Sequence, residues 1–342
     1  MNKKILVTGG TGYIGSHTVV ELINKGYEVV IADNLSNSYI SVVDAIEKIT
    51  GIRPHFIKTE LTDAEQTKSL FEDNKDICGV IHFAAKKAVG ESVEKPLLYY
   101  YNNLFSLINI LQCMQEFSIN NLVFSSSCTV YGQPEVLPVK EDSPILPALS
   151  PYGNTKQISE EMIKDKASIS SLKASLLRYF NPIGAHDSAL IGELPLDIPN
   201  NLIPFITQTA IGKREVLKVF GNDYDTPDGT CIRDYIHVVD LAKAHIIAME
   251  RMLNDDNKHA VEVFNIGTGM GHSVLEVINT FEKASGVKLN NKFAPRRAGD
   301  IEKIWADTTY ANKELGWCSE KNLHDMITSA WKWELYLKSK EE

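Results

Sequence analysis

KILVTGGTGYIG, residues 4–15, is the stretch on which the fold is read. Lys4 to Thr8 is a short apolar run rich in branched residues, and Gly9, Gly12 and Gly15 follow it at three-residue intervals. A helical apolar pattern then runs from Ile14 to Asn24 and is closed by Gly26, which accepts positive φ without a Cβ clash. The stretch predicts strand, tight turn and helix. Tyr27 to Ala32 gives a second strand, and apolar runs at His55–Ile57, Gly79–Ala84, Asn121–Ser125 and Ser175–Phe180 alternate with helical stretches. Strands spaced by helices call for an α/β chain: a doubly wound parallel sheet with right-handed crossovers, whose ligands gather at the carboxyl ends of the strands.

The chain has 342 residues, more than one compact domain usually holds, so a large core with a smaller second lobe and a cleft between them is expected. After Asn181 the pattern loosens into GELPLDIPNNLIP, with a lone strand at Val216–Phe220 and helices after Val238. The boundary near residue 180 is soft, and segments of the second lobe are expected to return to the first. A net charge of −9 disfavours a nucleic-acid partner, which proteins grip with clustered Lys and Arg. Cys78, Cys113, Cys128, Cys231 and Cys318 are scattered and form no CxxC, so neither a disulfide framework nor a zinc site is indicated, and a reducing cytoplasm suits them. The apolar run after the N-terminal lysines is too short for a signal peptide, and no stretch approaches the roughly 20 apolar residues of a membrane span. A soluble protein without a membrane partner is expected.

The glycine triplet reads as GxxGxxG, spanning Tyr13 and Ile14. It provides a tight turn, close backbone approach to a pyrophosphate, and a helix N-terminus facing the phosphate charge. Asp33 ends the second strand, where a carboxylate accepts hydrogen bonds from adenosine ribose hydroxyls and repels a 2′-phosphate. With Asn34 beside it and no arginine before Arg53, the pattern selects NAD over NADP on a Rossmann-type sheet.

Ser150-Pro151-Tyr152 opens a helix, with Ser at the N-cap and Pro at the first helical position, and Tyr152 and Lys156 stand one turn apart on one face. A lysine ammonium beside a phenol, helped by the positive charge of an oxidised nicotinamide, favours phenolate and lowers the tyrosine pKa from about 10 toward neutrality. Tyr152 then serves as a general base. Tyr336 and Lys340 repeat the spacing but follow no strand. What sets the first pair apart is Ser125, Ser126 and Ser127, which close a buried strand and can offer a hydroxyl to a sugar oxygen.

These features together resemble the extended short-chain dehydrogenase/reductase family over nearly the whole chain. That resemblance implies a hydride-transfer triad of Ser127, Tyr152 and Lys156. HFAAKKAVGESVEKP, FSSSCTVYG, SPYGNTK, RYFNPIGAH, IPNNLIP, FGNDYDTPDGTCIRDYIHVVDLA and FAPRRAGD are similar to the signature blocks of its UDP-hexose 4-epimerases. By the same resemblance Phe83, Ala84, Lys87, Asn102 and Tyr179 line the NAD site beside the glycine loop, with Glu60 and Leu61 near the adenine. Asn181, Asn201, Leu202, Arg233, Tyr235, Arg297 and Asp300 hold the UDP-hexose, which Lys87, Ser127 and Tyr152 also touch. Planar guanidinium forks suit the arginines to a diphosphate.

The implied reaction removes the C4 hydroxyl proton through Tyr152 and passes the C4 hydride to NAD. The 4-keto sugar then turns about its diphosphate link and takes the hydride back on the other face. Residues 1–180 become the NAD-binding domain and 181–342 mainly the sugar-nucleotide lobe. By the same resemblance a homodimer is expected, through helices at Pro96–Phe117 and Pro151–Ala167. Ala85, Glu60 and Ile304 depart from the bacterial pattern, which has glycine, aspartate and tyrosine there. Ile304 is intermediate between residues that exclude and residues that admit N-acetylated sugars, so 4-epimerisation of UDP-N-acetylglucosamine stays open as an alternative. A sugar-nucleotide 4,6-dehydratase needs an Asp-Glu pair after the triad hydroxyl, where Cys128 and Thr129 stand. A non-catalytic NAD-binding sensor is the alternative of another class. His82, His186 and His237 read as packing or hydrogen-bonding residues, and no metal is expected.

Overall fold

The computed structural model describes residues 3–196, 198–297 and 300–341. In chain order the first part holds β1 (Lys4–Thr8), α1 (Tyr13–Asn24), β2 (Glu28–Asp33), α2 (Ser41–Thr50), β3 (His55–Lys58), α3 (Ala64–Glu72), β4 (Ile77–His82), α4 (Val89–Glu94), α5 (Pro96–Glu116), β5 (Asn121–Ser125), α6 (Pro151–Ser168) and β6 (Lys173–Tyr179). The second holds β7 (Asn181–Ile183), α7 (Leu202–Ala210), β8 (Leu217–Phe220), β9 (Ile232–His237), α8 (Val238–Leu253), β10 (Val261–Ile266), β11 (Gly271–Ser273), α9 (Val274–Ser285), β12 (Asn291–Ala294), β13 (Lys303–Ile304), α10 (Thr309–Leu315) and α11 (Leu323–Glu341).

The expected doubly wound sheet is present, with strand order β10-β6-β5-β4-β1-β2-β3 and every pair parallel. Successive strand residues point to opposite faces, and the sequence fills both faces. Ile5, Val7, Ile31, Ile81, Val123 and Leu177 pack with α1 and α8, while Leu6, Val30, Val80, Leu122, Phe124 and Leu176 pack with α3, α5 and α6. Chain order reverses between β1 and β4, which opens a crevice at their carboxyl ends.

The second lobe is built on β9, which pairs with β7 and β13 in parallel and with β11 antiparallel. Ile203 and Ile206 of α7, Val277, Ile278 and Phe281 of α9, and Met326, Ile327 and Ala330 of α11 form its core. β8 and β12 make a separate two-stranded sheet.

Among the described residues six strands, β7 and β9 to β13, were not expected from the sequence, and in two of them a buried charge hides the pattern. β10, which completes the large sheet beside β6, is interrupted by Glu262, whose buried carboxylate is held by Arg251 at 2.7 and 3.0 Å. β9 is broken by Arg233 and Asp234, and the fully buried Asp234 carboxylate accepts hydrogen bonds from Thr268, Gly269 and Ala306. Each charge hides the strand from a pattern reading; the donors to Asp234 come from 34 to 72 residues along the chain, while Arg251 reaches Glu262 from the neighbouring α8.

Candidate active site

The glycine loop lies at the head of the crevice. Gly9 takes φ +69°, and its N–H donates to the Ala32 carbonyl at 2.8 Å. The Gly12 N–H donates to the Gly9 carbonyl at 3.0 Å, which folds the turn back onto itself. A Cβ on Gly9 would lie 2.8 Å from the Ala84 nitrogen, and one on Gly15 would lie 2.2 Å from the Gly9 oxygen. No side chain caps α1 at Gly12, so the first N–H groups, over Tyr13 and Ile14, are left for a ligand. A bare backbone cradle, an uncapped helix N-terminus and a carboxylate at the end of β2 fit the pyrophosphate and ribose of a dinucleotide.

That carboxylate, on Asp33, also ties the loops together. It accepts from the Thr11 N–H at 3.3 Å, the Leu35 N–H at 2.9 Å and the Ser38 hydroxyl at 3.2 Å. Asn34 donates to Glu60 at 2.8 Å. Burial raises the Glu60 carboxyl, but donors on Asn34 and Thr62 outweigh it and hold the group below its ordinary value. The buried Leu61 gives its carbonyl to Asn109 at 2.8 Å. Past β4, the Ala84 N–H donates to the Thr8 hydroxyl at 3.4 Å and the Phe83 ring packs 4.6 Å from that of His245. The Asn102 amide donates to Asn103 at 3.0 Å, and Asn103 links Lys86 to Thr155 of α6.

Ser127 lies just past β5, where its hydroxyl accepts from the Thr129 N–H at 3.2 Å. Ser150 caps α6 by accepting from the Gly153 N–H at 3.1 Å, with Pro151 at the first helical position as expected. Tyr152 and Lys156 are both buried. The Lys156 ammonium donates to the Ser125 carbonyl at 2.6 Å and lies 4.7 Å from the Phe124 ring centre and 6.0 Å from that of Tyr152. Burial lowers Lys156 to about 8. The Tyr179 hydroxyl pairs with the Ser125 hydroxyl at 2.8 Å, and burial pushes the Tyr179 phenol up to about 12.

The expectation for Tyr152 joined the lysine to the positive charge of an oxidised nicotinamide. The protein's own groups do not lower Tyr152 toward neutrality: burial raises its phenol well above the ordinary value, Tyr179 adds to this, and the Ser127 hydroxyl opposes it only in part. The lysine is too far from the phenol to offset desolvation alone, so a phenolate near neutral pH requires the cofactor's positive charge as well.

On the second lobe Asn181 stands opposite Tyr235 across β7 and β9, and Arg233 stands opposite Ile304 across β9 and β13. The Asp300 carboxylate lies 2.8 Å from Arg297 and 3.8 Å from Arg233, bridging the two guanidinium groups. Ile304 is 1% exposed and packs with Cys128, Tyr131 and Phe180, next to the triad. Leu202 opens α7, and the preceding Asn201 donates to Glu193 at 2.6 Å.

Glu193 was not flagged by the sequence. The oxygen that takes Asn201 also pairs with Lys87 at 3.4 Å, and its backbone carbonyl takes the Trp333 indole N–H at 3.0 Å. It thereby joins two predicted site residues from opposite lobes, with no local pattern around it to give a signal. Tyr13 makes a second tie, donating to the Gly184 carbonyl at 2.6 Å. His82 bonds Thr8 at 2.8 Å, His186 bonds Ser188 at 2.8 Å and His237 bonds Ser329 at 3.1 Å. Among the described residues no group of three or more His, Cys, Asp or Glu is arranged to hold a metal. The spacing twin Tyr336/Lys340 lies on α11, with Lys340 5.4 Å from the Tyr336 ring centre.

A family model described as GDP-mannose 4,6 dehydratase matches residues 6–330. A UDP-glucose 4-epimerase of Bacillus subtilis is 50% identical over 331 residues, 96% of each chain. The crystal structure of UDP-glucose 4-epimerase from Bifidobacterium longum in complex with NAD+ and UDP superimposes with a TM-score of 0.94 at 45% identity, covering 98% of each chain. That of the UDP-glucose-4-epimerase from Stenotrophomonas maltophila with bound NAD and formylated UDP-arabinopyranose gives 0.95 at 45% identity, covering 99% of this chain and all of the other.

Proposed function

The chain belongs to the UDP-glucose 4-epimerase family, and from that premise we propose that it interconverts UDP-glucose and UDP-galactose by NAD-dependent epimerisation at C4. The observation that carries the reading is the meeting of Ser127, Tyr152 and Lys156 at the sheet edge that also bears the glycine cradle. NAD, when bound, accepts and returns the C4 hydride. Tyr152 takes the proton of the C4 hydroxyl and gives it back, Lys156 holds positive charge beside it, and Ser127 steadies the sugar oxygen through its hydroxyl. Asn34, Glu60, Phe83, Lys87, Asn102 and Tyr179 complete the cofactor wall. Arg233 and Arg297 grip the diphosphate while the keto sugar turns, and the Asp300 carboxylate between them keeps their forks aligned. Anchoring falls on the nucleotide, and the hexose pocket is left free for both faces of the sugar.

Dehydration is disfavoured despite the description of the family model. Burial pushes the Cys128 thiol up to about 12, so it stays neutral, and Thr129 carries no carboxylate. Elimination of water lacks its acid and base. Ile304 beside Phe180 favours the unmodified hexoses and leaves slow turnover of UDP-N-acetylglucosamine as the second reading.

The assembly proposed is a homodimer through α5 and α6. Leu97, Tyr101 and Phe105, four residues apart on α5, are 81%, 53% and 47% exposed and form an apolar stripe suited to a second copy. The compartment proposed is the cytoplasm, where the five free cysteines stay reduced. The functional test is incubation with UDP-galactose and no added NAD, following UDP-glucose by anomeric proton NMR. Product is expected from the NAD that the purified enzyme retains; none, even with NAD supplied, would sink the reading.

A further inference from the structure

The three serines that close β5 meet three positions on one helix. Ser127 lies beside the Tyr152 phenol, and the Ser125 carbonyl takes the Lys156 ammonium. Ser126, which the proposed reaction leaves unused, donates its hydroxyl to Glu160 at 2.6 Å. Glu160 stands one turn beyond Lys156, as Lys156 stands one turn beyond Tyr152, so the three form a single stripe along α6.

The Glu160 and Arg178 side chains are only 4% and 3% exposed. Arg178 grips both carboxylate oxygens, Nε to Oε1 at 2.9 Å and Nη2 to Oε2 at 2.6 Å. Its Nη1 donates to the Tyr131 hydroxyl at 3.1 Å and the Glu141 carbonyl at 3.2 Å, and Tyr131 donates onward to Asn265 of β10 at 2.6 Å. The carboxylate of one helix is thereby fastened to β5, β6 and β10. A buried ion pair contributes little net stability over an apolar pair of the same shape, because desolvation offsets most of the attraction. Its value here lies in geometry and charge.

We propose, resting on the 4-epimerase reading, that Glu160 is a positioning residue for the reaction: its clamped carboxylate fixes how α6 seats against β5, and its charge keeps Lys156 an ammonium beside Tyr152. The groups packed around Lys156 leave that charge to Glu160. From β4, His82 is held neutral by burial, lowered to about 3. Tyr179 of β6, Tyr99 of α5, Cys128, and Tyr152 on the helix itself are all raised by burial and uncharged near neutral pH. Burial works against the ammonium, and Glu160 is the charged group that acts in its favour. Arg178 holds the carboxylate in place, and Lys164 approaches it at 3.7 Å from the solvent side.

The test is an ultraviolet titration of tyrosinate in the NAD-loaded enzyme, with Tyr152→Phe as the blank, alongside kcat and KM for UDP-galactose. Glu160→Gln keeps the shape and loses the charge, so Lys156 is held less firmly as an ammonium and the Tyr152 phenolate is expected to appear about one pH unit higher, a tenfold change in proton affinity. Glu160→Asp keeps the charge on a shorter arm, so the titration stays in place while kcat falls. Ser126→Ala removes only the strand-to-helix bond, and kcat is expected to fall severalfold at unchanged KM. A Glu160→Gln enzyme that titrates like wild type overturns the proposal. Should that variant not fold, Ser126→Ala decides, and a wild-type kcat overturns it. A wild-type enzyme that titrates but does not turn over UDP-galactose sinks the functional reading instead, and the Glu160→Gln titration still decides this one.

Discussion

Acidification should unfold this protein through its buried histidines. His17, His82, His237 and His245 are at most 2% exposed, and burial lowers them to about 3, 3, 4 and 4 from an ordinary value near 6.5. The unfolded chain takes up protons at these sites as the pH falls below about 6.5, while the folded chain takes up almost none until about pH 4. Their contribution is therefore fully present above about pH 6.5 and is lost as the pH falls from there toward 4. Between pH 7 and pH 5 each site costs about 2 kcal/mol, and together they cost about 8 kcal/mol, against a total stability on the order of 5–15 kcal/mol. Asp234, Glu21 and Glu141, raised by burial, act in the opposite sense and trim the loss at the acid end. The assay is urea denaturation of the NAD-bearing protein at both pH values, where the midpoint is expected to fall to less than half. His245→Asn keeps a donor for the Leu241 carbonyl, which the ring nitrogen meets at 2.8 Å, and should recover about 2 kcal/mol of the difference. A midpoint that holds steady from pH 7 to pH 5 would refute the reasoning.

Gly15→Ala forces a methyl against the Gly9 oxygen at 2.2 Å and the Gly10 Cα at 2.9 Å, both backbone atoms that cannot swing aside, so a cost of about 1–3 kcal/mol and loss of retained NAD are expected. Gly51→Ala, at φ +75° with nothing within 4 Å, should lower the melting temperature modestly and leave the NAD content intact, as absorbance of the released cofactor would report. Ile304→Ala should raise kcat/KM for UDP-N-acetylglucosamine about tenfold relative to UDP-galactose, at about 2–4 kcal/mol of stability lost to the cavity; an unchanged ratio removes Ile304 from the sugar pocket. Leu97→Asp on α5 should turn a sedimenting dimer into monomer, and a wild-type monomer at micromolar concentration ends the dimer proposal.

The large sheet was legible because its strands alternate two apolar faces, as Ile5 and Val7 do against Leu6, and because glycines punctuate the first turn. Tyr152 and Lys156 could be found by helical spacing, and Ser127 by its place at a strand end. β9 and β10 were hidden because Arg233, Asp234 and Glu262 interrupt their apolar pattern, and the partners that tolerate those charges come from other elements, Thr268 and Ala306 for Asp234 and Arg251 of α8 for Glu262. Glu193 was hidden for the same reason, since Lys87 and Asn201 meet it only in the folded chain. The strength with which burial opposes ionisation of Tyr152 escaped as well, because burial depends on packing, which spacing does not report.

β10 has a consequence for how the protein is made. The sheet that carries the glycine loop stays open along β6 until Val261–Ile266 arrive, more than eighty residues after β6 ends. A nascent chain that has emerged only to Tyr179 carries an unpaired edge and lacks α8, whose Leu241, Ala248 and Met249 cover one face of the core. The first 180 residues are therefore not a fragment to express alone: on the ribosome the sheet that bears the glycine loop is finished only after about half of residues 181–342 has been synthesised.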